Sequence, residues 1–528
     1  MSTLLEYQFL ILLLLAIFVL ELAARRLRLP PAAAFILGGV ALALVPGVPA
    51  FSIDPELVLV VFLPPLLMNG GYFTVWKDFR ENFGGIVVLA VGAVVFTTFA
   101  VGLVAKTLVP GLPWAVCFAL GAIVSPPDAV AAGAVLERLT LPGRITALLQ
   151  GESLLNDASG LVLFKFAVAA ALTGAFSVGA ALGSFGILTA GGIAFGWVIG
   201  QAGLFVLRRV RDSELAITAT LLLPVFSYVG GERLGVSGVL ATVTTGLLMG
   251  WYQHAVLSAG TRMRAQAFWQ VLVFLLESIL FILIGLSLRS VLARVGAMQH
   301  AGRDIWVPVA GVVAAVVLSR FVWLFGSDLL LRARRRLGSG GATTPSLRVA
   351  AVMSWAGMRG VVTLAAALAL PNGLPGRDLL LVCAFSVILV TVILQGTTLA
   401  PLIRALRLTG EGEAAARVAS EDLAWQRMAE AQHRKIAEIS LQPDGSERHP
   451  RLLEQYALRA KLAGEARGDR DTHVPIKVEH HKAVLAAIAA GRAEVLRMHR
   501  AGEIHDRVLR SLEQELDLQQ LVAESHSS

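Results

Sequence analysis

The fold of this chain is decided by the stretch Ala122-Ile123-Val124-Ser125-Pro126-Pro127-Asp128, which places two prolines and a carboxylate inside a long apolar segment. Proline has no backbone N–H, so the carbonyls four residues earlier, on Ala122 and Ile123, lose their helical partners. Irregular backbone at bilayer depth is tolerated where it is buried in protein or lines a water-filled cavity. The stretch therefore predicts an interrupted membrane helix whose freed carbonyls are available to a cation, with Asp128 in the first turn of its second half.

The apolar segments around this stretch predict an all-α polytopic membrane protein. Of the 528 residues, 56% are hydrophobic and 16% are charged, whereas a soluble globular protein averages about 25% charged residues. We predict about thirteen transmembrane helices, because a mostly apolar segment of about 18 residues or more can cross a bilayer. They lie at 5–23, 30–47, 56–70, 83–107, 113–135, 145–172, 178–207, 214–230, 236–252, 268–290, 305–330, 348–371 and 378–404.

The composition changes near residue 404, which divides the chain into two predicted domains. Residues 1–404 form a transmembrane domain, and residues 405–528 form a charged cytosolic tail with helical periodicity around 414–440, 450–464, 479–500 and 504–524. Because histidine titrates near physiological pH, the tail is either a regulatory pH sensor or ordinary solvated helical surface. Its histidines are His433, His449, His473, His480, His481, His499, His505 and His526.

Basic residues cluster in alternate loops, from Arg25 and Arg26 after the first span to Arg335 and Arg336 after the eleventh. Lysine and arginine are enriched on the cytoplasmic side, so we predict a multi-pass protein of the cell (inner) membrane with its N-terminus outside and its tail in the cytoplasm. The net charge of +8 comes from these loops and indicates no nucleic-acid partner. With the seventh span as a connector, the two flanking sets of six spans have opposite orientation. This predicts inverted six-helix repeats with discontinuous helices at 113–135 and 348–371.

Several ionisable residues fall at bilayer depth, where each costs about 2.5–3.5 kcal/mol and therefore faces a cavity or a partner. Residues four apart share a helix face, so Ser153 is expected beside Asp157. A hydroxyl and a carboxylate suit a hard cation, which predicts transient sodium binding by this pair. Glu152 needs a partner, for which Arg320 is favoured over Arg359. The full set is Asp128, Glu152, Asp157, Glu277, Arg320 and Arg359.

Two of these motifs together resemble the monovalent cation:proton antiporter family, in its sodium/proton exchanger branch with a C-terminal tail. The motifs are Ser125-Pro126-Pro127-Asp128 and Glu152-Ser153-Leu154-Leu155-Asn156-Asp157, and further family elements resemble Leu63-Pro64-Pro65-Leu66-Leu67, the helix from Glu277 to Gly285-Leu286-Ser287, and Gly357-Met358-Arg359-Gly360. The resemblance implies that Asp157 binds cation and proton in turn, with Ser153 as a cation ligand. Asn156 and Asp128 would support the site. It also implies an ion pair between Glu152 and a membrane arginine, a homodimer, and an elevator-like motion of a core bundle.

The chain departs from the family pattern at three positions, and these departures leave the ion preference open. Pro127 stands where relatives usually have a threonine that can touch the cation. Ala129 stands where they often have proline, and Asn69 where some have glutamate. A side-chain ligand at position 127 is lost, so backbone carbonyls or water would have to substitute for it.

The predicted function is secondary active transport that exchanges sodium for protons by alternating access, with a role in pH homeostasis. Because Asn156 cannot titrate, exchange at Asp157 is expected to be electroneutral and one for one. Potassium/proton exchange is an alternative, since oxygen ligands serve both ions. An intramembrane aspartyl protease using Asp128 and Asp157 is disfavoured, because the sequence has no Gly-x-Gly-Asp element. We predict no enzymatic activity and no cofactor; the partners are sodium ions, protons, membrane lipid and a second copy of the chain.

Overall fold

The structure is a computed structural model that describes residues 3–45, 58–128, 132–133, 136, 141–174, 178–300, 304–336, 346–408, 411–441, 447–468 and 470–525. Across these ranges the regular secondary structure is helical, so the predicted all-α class is confirmed. Contacts divide the chain into two compact units, Met1–Gly410 and Glu411–Ser528.

The helices of the first unit follow the apolar segments of the sequence. Two of them contain π-helical turns, at Val88–Ala93 in α5 and at Thr391–Gln395 in α16, and a third π-helical turn at Val58–Phe62 directly precedes α3. The helices are α1 (Thr3–Leu27), α2 (Pro31–Leu44), α3 (Leu63–Tyr72), α4 (Trp76–Glu81), α5 (Phe83–Leu108), α6 (Trp114–Val124), α7 (Gly143–Thr173), α8 (Val178–Leu207), α9 (Ser213–Arg233), α10 (Gly238–Val256), α11 (Ala259–Leu286), α12 (Leu288–His300), α13 (Trp306–Arg336), α14 (Leu347–Trp355), α15 (Val361–Leu368) and α16 (Arg377–Ala405).

Within the described ranges, seven helices are long and apolar enough to cross a membrane. They are α5, α7, α8 from Gly183, α9, α11 with the start of α12, α13 as far as Leu330, and α16. Shorter apolar helices occur at Pro31–Leu44, Leu59–Tyr72 and Trp114–Val124. The multi-pass membrane character is therefore confirmed, while the count of thirteen spans and the inverted repeat stay predictions.

Short polar residues begin four of the helices. The Asp212 side chain accepts hydrogen bonds from the N–H groups of Glu214 and Leu215, both at 2.9 Å, at the start of α9. Such caps satisfy N–H groups that have no partner inside the helix. Serine hydroxyls do the same for α10, α11 and α14, at Ser237, Ser258 and Ser346.

Glycine allows two of the membrane helices to pack with their backbones in contact. A Cβ placed on Gly39 of α2 would stand 2.9 Å from the Cα of Gly285 in α11, and one on Gly285 would stand 2.7 Å from the Cα of Gly39. Interfaces between membrane helices use small residues in this way, because lipid supplies no hydrophobic driving force for association. Substitution of either glycine would push the two helices apart.

Both predicted discontinuous helices are interrupted where the sequence places proline or glycine. The helix α6 ends at Val124, before Pro126 and Pro127; the second half of the span 113–135 falls largely in 129–140, where only 132–133 and 136 are described. In the span 348–371, α14 ends at Trp355 and α15 begins at Val361. The two interruptions touch, because the Asp128 N–H donates a 2.7 Å hydrogen bond to the Met358 carbonyl.

The second unit consists of helices joined by polar contacts. They are α17 (Glu411–Ser440), α18 (Pro450–Gly468), α19 (Arg470–Arg500) and α20 (Asp506–Ser525). Arg492 of α19 bonds Asp517 of α20 at 2.7 Å. The His499 imidazole lies 2.5 Å from Asp506 and lowers the pKa of that carboxyl. Of the other tail histidines, His526 lies outside the described residues.

Candidate ion-binding site

A polar cavity of about 490 Å³ lies among α3, α7, α11, α15 and the interruption that follows α6. Its hydrophobic wall includes Leu63, Leu67 and Phe274. Its polar lining brings together carboxylates, amides and hydroxyls from separate parts of the sequence. These residues are Asn69, Asp128, Gln150, Ser153, Asp157, Gln266, Gln270, Glu277 and Thr363.

The cavity is exposed at one end and buried at the other. Along α7, Gln150 is exposed, Ser153 is half-buried and Asp157 is only 8% exposed. Along α11, Gln270 is exposed and Glu277 is half-buried. The cavity therefore opens where α7 and α11 begin and reaches inward to Asp157.

Asp157 is the buried end of this path. Its carboxylate makes no hydrogen bond or ion pair to any residue that the structure describes, and its electrostatic neighbour is the Asp128 carboxylate. Burying an unpaired charge is costly, so such a group holds a proton or a cation. Asp157 thus has the environment of a group that exchanges one small positive ion for another.

Asn156 fixes the position of α7 against the first interruption. Its Nδ2 donates a 2.7 Å hydrogen bond to the Pro127 carbonyl, and the side chain is fully buried. Its Oδ1 is buried with no hydrogen-bond partner in the described part of the chain. Asn156 therefore ties the interruption to α7, the helix that carries Asp157.

Arg359 occupies the end of the first half-helix. Its guanidinium, in a side chain that is 1% exposed, donates to the carbonyls of Val124 at 2.9 Å, Ser125 at 3.2 Å, and Gly357. Carbonyls at a helix C-terminus carry partial negative charge, which a cation stabilises. Arg359 thus compensates the negative C-terminal end of α6. Its guanidinium hydrogen-bonds backbone carbonyls rather than Glu152.

These contacts correct one expectation about the freed carbonyls. The Ala122 carbonyl accepts a 3.1 Å hydrogen bond from the Ser125 hydroxyl, so the prolines do not leave it without a partner. The carbonyls of Val124 and Ser125 are engaged by Arg359. The prolines indicated that backbone carbonyls here would lose their helical hydrogen bonds. They did not indicate that the Ser125 hydroxyl and the distant Arg359 guanidinium would donate to carbonyls at this place.

Asp128 lies at the start of the second half-helix, α15. A Cβ on Gly360 would stand 2.6 Å from the Asp128 Cγ, so a residue with any side chain would collide with this carboxylate. The N-terminus of a helix carries partial positive charge, which favours an anion there. Asp128 therefore compensates α15, and Gly360 makes the close approach possible.

Glu152 and Arg320 form a buried pair on another side of α7. Two hydrogen bonds, at 2.6 and 2.8 Å, join the guanidinium to the carboxylate, and Arg320 Nε also donates to the Met353 carbonyl at 2.9 Å. The Glu152 side chain is 1% exposed and that of Arg320 is 4% exposed. Of the two arginines that the sequence offered to Glu152, the structure pairs it with Arg320, and the pair joins α7 to α13 and α14.

Sequence reasoning missed four of the polar residues that line the cavity. Gln150, Ser153 and Asp157 recur at helical spacing, as do Gln266 and Gln270, so a search for polar residues three or four apart would have found the glutamines. Thr363 lies alone in an apolar helix and gives no such signal. Of the other predicted residues, Asp128, Ser153, Asp157 and Glu277 meet at the cavity.

Known proteins similar to this chain are ion exchangers. Residues 10–405 match the transmembrane sodium/hydrogen exchanger family. The chain is 34% identical over 499 residues to an uncharacterized Na⁺/H⁺ exchanger of Escherichia coli K12, YjcE, with 88% of this chain and 89% of that protein covered. It is 33% identical over 381 residues to a sodium, potassium, lithium and rubidium/H⁺ antiporter of Bacillus pumilus, covering 69% of this chain and 56% of that protein.

A solved structure has a similar fold. The sodium proton antiporter MjNhaP1 of Methanocaldococcus jannaschii, determined at pH 8, aligns with a TM-score of 0.61 and 21% sequence identity. The alignment covers 78% of this chain and 100% of that chain. At this level of identity the likeness extends to the fold.

Proposed function

Because this chain belongs to the sodium/hydrogen exchanger family, we propose that it exchanges sodium ions for protons at Asp157. Family membership makes the chain a membrane transporter that carries out cation/proton antiport and not an enzyme, which removes the aspartyl protease alternative. The identity of the cation, the carrier residue and the stoichiometry belong to the proposal.

One observation carries the proposal: Asp157 lines the cavity at its buried end, 8% exposed, with no hydrogen bond or ion pair to the described residues. A bare carboxylate is costly in such a place, and either a proton or a sodium ion neutralises it. The two occupants exclude each other because they compete for the same oxygens. Sodium that binds from one side therefore displaces the proton to that side, and a proton that binds on the other side then displaces the sodium.

The neighbouring oxygens supply the remainder of a cation site. Ser153 is one helical turn from Asp157 on the same face and lines the same cavity. Asp128 adds a second carboxylate, which already serves the α15 N-terminus. Small hard cations prefer such oxygen ligands. We assign Ser153 as a ligand, and Asp128 and Asn156 as supports that hold the interruption against α7.

The stoichiometry follows from which groups can change protonation. Asn156 cannot titrate, so one carboxylate exchanges one proton for one monovalent cation. The net charge moved is then zero, and exchange is electroneutral. A second moving proton would need a second carboxylate in the place of this amide.

Alternating access is consistent with a cavity that opens at one end. The exposed end carries Gln150 and Gln266, near the starts of α7 and α11, which the charge of the loops assigns to the cytoplasm. We propose that the two interrupted helices move together with α7 and present Asp157 to the other side. The same proposal includes a homodimer, thirteen transmembrane spans and inverted repeats. It also includes the division of the chain into a transport domain (1–404) and a cytosolic tail (405–528).

Purified protein in vesicles that contain a pH-sensitive dye tests the proposal. External sodium should change the lumenal pH, and Asp157→Asn should abolish the change without loss of folded protein. Glu232→Gln is the matched control, because Glu232 lies outside the cavity in an ion pair with Lys165. Sodium, lithium and potassium are compared, since the Bacillus pumilus relative is named for several alkali ions. Sodium-driven exchange that persists in Asp157→Asn would remove Asp157 from the role.

A further inference from the structure

Thr363 is a cavity-lining residue that the proposed mechanism does not yet use. It lies in the first turn of α15, is 1% exposed, and shares the cavity wall with Ser153 and Asp157. The other residues of α15 are apolar, so its hydroxyl is the polar side-chain group that this half-helix contributes to the cavity.

The hydroxyl of Thr363 lacks the partner that membrane-helix threonines normally have. A threonine inside a continuous helix donates to the carbonyl four residues earlier, as Thr98 does to Val94 at 2.8 Å and Thr242 does to Gly238 at 2.9 Å. Thr363 makes no hydrogen bond within the ranges that the structure describes.

The interruption of the helix explains this difference. The residue four positions before Thr363 is Arg359, which precedes the helix. Gly360, with φ −142° and ψ −134°, turns the chain away from helical geometry between them. The carbonyl that would normally accept the hydroxyl is therefore displaced. A buried hydroxyl without an acceptor is costly unless the site itself supplies a partner.

We infer that the Thr363 oxygen is a direct ligand of the alkali cation and helps to set which alkali ions the site accepts. The ligand set then includes oxygens from two helices, with Ser153 and Asp157 on α7 and Thr363 on α15. The Thr363 hydroxyl then forms the α15 side of the site. The inference rests on the proposed exchange at Asp157.

Conservative substitutions of Thr363 test the inference in the full-length protein. Thr363→Val keeps the shape and removes the oxygen, and it should raise the half-saturating sodium concentration about tenfold or more, as expected when one bond to a charged group is lost. Thr363→Ser should restore sodium affinity close to that of the natural protein. The ratio of sodium to potassium half-saturation should change in the valine variant. Thr98→Val is the control, because that hydroxyl is bonded inside its own helix away from the cavity.

A binding measurement separates this inference from the proposed function. Sodium should raise the melting temperature of the purified natural protein, because a ligand that binds the folded state stabilises it. The shift should be reduced in Thr363→Val and retained in Thr98→Val. If the natural protein exchanges sodium for protons but Thr363→Val has unchanged affinity, the assignment of Thr363 is overturned while exchange at Asp157 stands. Equal losses in Thr363→Val and Thr98→Val would also overturn it, since they would indicate packing rather than ligation.

Discussion

Asp128 and Arg359 compensate each other's neighbouring helix. Asp128 follows α6 in the sequence but lies at the start of α15, whereas Arg359 precedes α15 but bonds the end of α6. The Asp128 carboxylate lies against Gly360 at the start of α15, while the Arg359 guanidinium bonds the carbonyls of Val124 and Ser125 at the end of α6. The negative group meets the positive end of one helix, and the positive group meets the negative end of the other. This reciprocal arrangement stabilises two helix ends at bilayer depth. Asp157, in contrast, makes no hydrogen bond or ion pair with the described residues.

Gly360→Ala should disable transport while leaving the protein folded. The added methyl would overlap the space of the Asp128 carboxylate and displace it from the start of α15. A displacement of about 1 Å in a preorganised site can cost about a hundredfold in rate. The rate of sodium-driven acidification or alkalinisation in vesicles measures the effect.

Gly326→Ala is the matched control for this substitution. Gly326 lies within α13, and a Cβ there would meet no atom within 4 Å. Alanine is the better helix former by about 1 kcal/mol, so this variant should transport normally. Normal transport by Gly360→Ala would show that the position of Asp128 does not matter.

Two ion pairs of α7, Glu152 with Arg320 and Lys165 with Glu232, should differ in their effect on stability. Arg320→Ala leaves the Glu152 carboxylate buried without its partner and should lower the free energy of unfolding by about 3–5 kcal/mol. Lys165→Ala removes a pair whose side chains are 53% and 35% exposed, which should cost less than about 1 kcal/mol. Denaturant unfolding of both variants in the same detergent measures the difference, and similar losses would contradict the structural role given to the buried pair.

Asn156→Asp should make stability depend on pH. The natural amide donates to the Pro127 carbonyl at 2.7 Å, and an aspartate can do so only in its protonated form. The variant should therefore approach natural stability at mildly acidic pH and lose stability as the pH rises, because the ionised carboxylate would face a carbonyl oxygen. Melting temperatures across a pH series measure this.

Asn82→Asp provides the comparison. Asn82 also donates to a carbonyl, that of Asp78 at 2.8 Å, but it is half-buried and lies outside the cavity lining. Its aspartate variant should show little pH dependence beyond that of the natural protein. A pH-independent effect of Asn156→Asp would mean that the hydrogen bond to Pro127 does not hold the interruption in place.

The sequence was sufficient to predict the features that depend on local chemistry. Two adjacent prolines before Asp128 require a break in a membrane helix, and helical spacing brings Ser153 next to Asp157. The all-α class and the acidic cavity follow from such rules. The bonding of Arg359 does not, because nothing local tells which backbone carbonyls lie beside a guanidinium more than two hundred residues away.

Thr363 was hidden from sequence reasoning for a related reason. A threonine in an apolar helix normally bonds its own backbone, and the exception depends on where Gly360 ends the helical geometry. The same applies to Ala122, whose carbonyl was expected to be free until the Ser125 hydroxyl was located. In both cases the course of the backbone in the folded chain decides which hydrogen-bond partner is within reach.

The central claim is that sodium and a proton compete for the Asp157 carboxylate, and proton release on sodium binding tests it most directly. Sodium chloride is added to purified protein in weakly buffered detergent solution, with choline chloride as the ionic control, and the released protons are counted against the sodium bound. About one proton should be released for each sodium ion bound, since a ligand must lose its proton to hold a metal ion, and Asp157→Asn should release none. Sodium binding with no proton release from the natural protein, or undiminished release from Asp157→Asn, would show that the two ions do not compete at Asp157.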